Sequence, residues 1–183
     1  MNTLRRTFAS LIALLLSPIR GRAQAARKPS PEAGKQLREV FLSTTAAQAG
    51  LSATPEFPHV YGVALDWPIG EHIATVVSLA DGTASLYTTS TFGIIGGAGH
   101  SSVRRAAQRF VSAAEKHLSE SVRTSSHPYP APNKVRFYLL AYDGTRTIEA
   151  DLEPTYSGTG KYSPLFGAGQ DVVTELRQVV ERK

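Results

Sequence analysis

The chain contains no cysteine in its 183 residues. That absence excludes disulfides, zinc–thiolate sites, iron–sulfur clusters, haem attached through Cys and any thiol nucleophile. The fold must therefore hold by packing alone, which a domain of this length can do. Familiar phosphate and catalytic signatures are missing as well. There is no Gly-Lys-Ser/Thr after a glycine loop, no G-x-G-x-x-G and no G-x-S-x-G elbow. No repeat recurs at a period of twenty to fifty residues. No apolar run is long enough for a membrane span, which needs ~20 residues.

What is present begins at the N-terminus. Arg5 and Arg6 form a charged n-region, and Thr7 to Ile19 is an apolar run of signal-peptide length. Ala23-Gln24-Ala25 supplies a small-x-small cleavage site. Residues 1–25 therefore read as a cleavable signal peptide, and export to the periplasm or beyond is expected, with no stable membrane insertion after cleavage. Arg5-Arg6-Thr7-Phe8 resembles the R-R-x-F core of twin-arginine signals. A weakly apolar h-region and Arg20 and Arg22 before the cleavage site agree with that route, and general secretion is the alternative. A cytoplasmic protein starting near Lys28, from a mis-set start codon, is the competing reading. The absence of Cys after the apolar run excludes a lipid-anchored lipoprotein.

Removing the leader changes the electrostatics. The whole chain carries 20 basic and 15 acidic side chains, net +5. The leader holds four arginines and no acid, so the remainder has 16 basic against 15 acidic groups. Such a surface offers no basis for a nucleic-acid partner, which needs clustered cations.

Ala26 to Pro31 reads as a flexible linker, and 32–183 as a single domain. A helix is predicted from Glu32 to Ala49, stopped by Gly50. Three strands follow at Val60–Trp67, Ile73–Leu79 and Thr83–Phe92, with Ala80-Asp81-Gly82 as a hairpin turn. A second helix, capped by Ser101 or Ser102, runs to about Ser121 on an apolar stripe through Val103, Ala107, Phe110 and Leu118. A second hairpin, Val135–Tyr142 and Arg146–Leu152, turns at Asp143-Gly144. Glu153 to Gly169 reads as a long loop, and Gln170 to Arg182 as the last helix. The expected fold is α+β, a two-layer α/β sandwich in the order α-βββ-α-ββ-α. Its five-stranded antiparallel sheet carries helices on one face. The other face would be a ready dimer interface.

That order is similar to the fold of type III secretion chaperones, small dimeric binders of other proteins. The chain also resembles a family of uncharacterised bacterial proteins. The resemblance lies in Ala80-Asp81-Gly82-Thr83-Ala84-Ser85-Leu86-Tyr87, the Gly93–His100 stretch, Val135-Arg136-Phe137-Tyr138-Leu139-Leu140 and Pro164-Leu165-Phe166. It implies no activity.

The strongest chemical candidate is the glycine-rich stretch Gly93–Ser102. Gly96, Gly97 and Gly99 would let backbone N–H groups turn inward, and the helix starting at His100-Ser101 would present its positive end. Arg104 and Arg105 in the first turn are unfavourable there without an anion. These residues make a candidate phosphate, nucleotide or carboxylate site, against the plainer reading of a loop crossing the sheet edge. His100 is the weak candidate for a general base in a small hydrolase. His59, His72, His117 and His127 lack ligand spacing, so no metal or other cofactor is expected. Asp66 beside Trp67 and Glu71 beside His72 read as flanking one short turn. Tyrosines gather in the second hairpin and its loop, and Tyr156 and Tyr162 are expected to be exposed and partner-binding. The sequence favours a non-enzymatic binding or chaperone-like module. An anion- or nucleotide-binding sensor is second and a hydrolase third.

Overall fold

The computed structural model describes residues 31–91 and 93–181. The segments expected to be a leader, its cleavage site and the linker up to Ser30 lie outside the described residues, as do Phe92 and residues 182–183. One antiparallel sheet of seven strands organises the chain. The strands are β1 (Val60–Ile69), β2 (His72–Leu79), β3 (Ala84–Thr88), β4 (Gly93–Ile95), β5 (Val122–Arg123), β6 (Lys134–Ala141) and β7 (Gly144–Asp151). Their spatial order is β4-β3-β2-β1-β6-β7-β5. Both predicted hairpins form: Leu79 donates its N–H to Thr83 across Asp81-Gly82, and Ala141 pairs with Gly144.

The helices are α1 (Pro31–Ser43), α2 (Ala46–Ala49), α3 (Ser101–Glu115), α4 (Leu152–Ser157) and α5 (Ser163–Glu181). A single 3-10 turn spans Leu118–Glu120. The first predicted helix is broken at Thr44-Thr45. There Thr45 and Gln48 build a capping box that restarts the chain as α2, and Gly50 closes it at φ 70°.

The α+β class holds, but two details of the expected sandwich differ. Two edge strands, β4 and β5, bring the sheet to seven. They are three and two residues long, too short to show alternation in the sequence. The helices also cover both faces instead of one. Val63, Leu65, Val76, Leu86, Phe137, Leu139 and Ile148 point toward α3 and α5. Their neighbours Ala64, Val77, Leu79, Tyr138 and Leu140 point the other way, against Phe41 and Leu42 of α1. This explains the near-continuous apolar runs in β1, β2 and β6, because a strand covered on both faces has no polar side. The face expected to remain open for a dimer carries α1.

The predicted loop 153–169 is mostly helical. Pro164 occupies the first turn of α5, a position that tolerates its missing N–H. Gly169 lies inside that helix, not in a loop. A Cβ there would stand 2.9 Å from Leu65 Cδ2 and 3.2 Å from Phe110 Cζ, so the glycine lets α5 approach sheet and helix closely.

Candidate functional site

The most strongly charged feature of the interior is built on β1. Asp66 is fully buried in the middle of that strand, paired with Thr75 of β2 and Arg136 of β6, and not in a turn as its neighbours imply. Only Glu71 and His72 of that expected group lie at the exposed end of the β1–β2 hairpin. Arg38 of α1, 1% exposed, reaches Asp66 across the face. Its Nε donates to both carboxylate oxygens at 3.1 Å and its Nη2 to Oδ2 at 2.5 Å. Thr75 Oγ1 donates to Oδ1 at 2.6 Å. The remaining guanidinium hydrogens go to Glu39 and to the carbonyls of His127 and Pro128. The Tyr129 ring lies 4.3 Å from Arg38 Cζ, in cation–π contact. Burial is the largest influence on Asp66 and pushes its carboxyl above the ordinary range, against the pull of Arg38 and Thr75. Both oxygens are occupied and no solvent reaches them, so this pair cannot take a proton from a substrate. It fastens α1 and the 127–128 segment to the sheet.

The glycine-rich stretch is placed differently from a phosphate cradle. Its first part is β4, paired with β3 through Leu86–Ile94. Gly96 has φ +83°, a left-handed turn that leads off the strand. Gly97 is buried, and a Cβ there would meet Val103 Cγ1 at 2.4 Å and Leu176 Cδ2 at 2.7 Å. Its N–H is committed to the Ala84 carbonyl at 3.1 Å. Gly99, His100 and Ser101 are exposed. His100 itself, and neither serine, is the N-cap of α3, and its side chain makes no cap hydrogen bond. Arg104 and Arg105 are exposed on α3, and the stem of Arg104 packs over Gly82 of the first hairpin. These residues are neighbours along the chain, but Gly97 faces the core while His100, Arg104 and Arg105 face solvent. Of the two tyrosines, Tyr156 is 70% exposed. Tyr162 is half-buried against the core, stacked edge-on to His117 at 5.3 Å and near Phe137.

A different region forms a concave surface. At the end of the sheet where β1 finishes, a groove of about 440 Å3 opens between the strands and the last turns of α5. Trp67, Ala74, Leu86 and Ile94 form its floor, and Val173 and Val180 its roof. Ile69 and Val180, 53% and 50% exposed, extend the apolar surface past the mouth. Arg177 and Glu181 stand on the rim, 3.6 Å apart. Sequence reading missed these residues because each looks like ordinary core at its own position. Only the antiparallel pairing brings Ile69, Thr88 and Ile94 to one end of the sheet.

Among the described residues, no cluster of three or more His, Asp or Glu side chains could hold a metal ion. None of their helices is long and apolar enough to cross a membrane. Comparison with family models, with curated proteins and with solved structures finds no match to this chain.

Proposed function

We propose that this domain is a non-enzymatic binding module, exported with its leader removed, that takes an apolar segment of a partner protein into the groove under α5. The carrying observation is the groove itself, whose walls are aliphatic and aromatic. A concave apolar surface of this kind is the form that a binding site for an apolar group takes. A protein segment fits better than an enclosed small ligand. The groove is open, its apolar surface continues onto Ile69 and Val180, and the short edge strand β4 runs beside it. The cavity has room for a few aliphatic side chains and no more, which matches a short anchor motif.

The chain has a single tryptophan, Trp67, and it lines the groove, so occupancy is readable from intrinsic fluorescence. Anilinonaphthalene sulfonate should bind with a blue-shifted emission and accept energy from Trp67. Ile69→Glu and Val180→Glu, both at exposed positions, should weaken the anionic dye by at least about tenfold with the melting temperature unchanged. A leucine-rich decapeptide should displace it. Dye binding indifferent to both variants would remove the groove as the site. A dye that binds there and resists the peptide would remove the protein-segment reading.

A further inference from the structure

A second opening, of about 400 Å3, lies at the opposite end of the sheet, lined by His59, Glu115, Leu118, Ser119 and Arg146. Its two walls carry opposite charges. Glu115 is the last residue of α3, where the helix dipole disfavours an acid. It is held there by the start of β1: Oε2 accepts the Val60 N–H at 2.8 Å and the His59 N–H at 3.4 Å, and Oε1 lies 2.5 Å from His59 Nδ1. Arg146 enters from β7, only 21% exposed at its side chain. Its one carboxylate contact is Asp143 Oδ2 at 3.4 Å, and that carboxylate is already bound closely by Arg123. Two guanidinium groups thus share one acid, and Arg146 Nε is buried with no acceptor. Although Glu115 and Arg146 line the same cleft, their ion pairs are with His59 and Asp143, not with each other.

An anion entering this cleft meets the repulsion of Glu115, and a cation meets that of Arg146. A small molecule with both charges satisfies both walls, and Leu118 lines the same cleft with apolar surface. We propose that the cleft binds a free α-amino acid with an aliphatic side chain. Its carboxylate lies on Arg146, its ammonium on the one remaining acceptor site of Glu115, at Oε1, and its side chain against Leu118. The volume admits such a ligand. This site is independent of the groove under α5, and either can fail without the other.

The test is titration calorimetry of the protein with L-leucine and its two half-analogues, 4-methylpentanoate without the ammonium and isoamylamine without the carboxylate. Leucine should saturate in the millimolar range, and each half-analogue should bind at least about tenfold more weakly. Arg146→Gln should lose leucine binding while keeping its thermal transition. Glu115→Gln should do the same, and if that variant is unstable, Arg146→Gln carries the test alone. The proposal is overturned by a half-analogue that binds as tightly as leucine, by unchanged binding in Arg146→Gln, or by no saturation below about 50 mM.

Discussion

Arg38 and Asp66 meet across the face of the sheet with neither side chain open to solvent, and between them they hold α1 against three strands. Removing one partner strands the other charge in the interior. Arg38→Met should therefore cost about 3–5 kcal/mol in urea denaturation, while the double change Arg38→Met/Asp66→Leu should recover most of that loss. Additive losses would show that the pair is not coupled in the way its geometry implies.

Gly97 is a packing residue. Alanine there drives a methyl into Val103, a β-branched side chain with little freedom on a helix, and into Leu176. Gly97→Ala should lower stability by roughly 1–3 kcal/mol in the absence of any ligand. An unchanged thermal transition would return the glycine to a role in ligand approach.

Glu120 receives Lys161 Nζ at 3.0 Å and His117 Nδ1 at 3.4 Å. The hydrogen bond from Lys161 is the main cause that holds the carboxyl below its ordinary value of 4.5. A depressed folded value means that the stabilisation is present above the unfolded value and is lost as pH falls through the folded one. Side-chain chemical shifts of Glu120 should titrate below the usual carboxylate range, and Lys161→Ala should move the midpoint upward. A midpoint unmoved by that substitution would mean the contact is not populated in solution.

The expected leader makes its own forecast. If residues 1–25 act as the cleavable signal that the sequence leads one to expect, mass spectrometry of the exported fraction should find a chain starting at Ala26. Replacing Arg5 and Arg6 together by Lys should retain the precursor in the cytoplasm if the twin-arginine route carries it. Undiminished export would assign general secretion, and a full-length chain confined to the cytoplasm would remove the leader altogether.

Much of the architecture was legible locally. Asp81-Gly82 and Asp143-Gly144 mark their hairpins because those turns need residues that tolerate unusual backbone angles. The stripe Val103–Ala107–Phe110 marks α3 because helical spacing puts these residues on one face. What was not legible depends on partners distant in sequence. Gly167 and Gly169 read as loop residues, yet α5 runs through both, and at Gly169 close contact with Leu65 and Phe110 offsets the poor helix propensity of glycine. Asp66 sits in an apolar strand with no local sign of its partner 28 residues earlier. The groove and the charged cleft are likewise assembled from several elements each. Gly96 to Arg105 announced a site because glycines and a helix start are visible in a single stretch of sequence, and that stretch divides between core and solvent.

The lengths of β4 and β5 have a consequence for how molecules of this protein can meet. They stand at the two sides of the sheet with three and two residues, and β5 pairs with β7 only at Thr147 and Arg146, so residues 148–151 of β7 run past it. Neither β4 nor β5 is long enough to template another chain's strand. Extension of the sheet from one molecule into the next is therefore disfavoured at β4 and β5, and the length along which a continuous backbone ladder could grow narrows to residues 148–151 of β7.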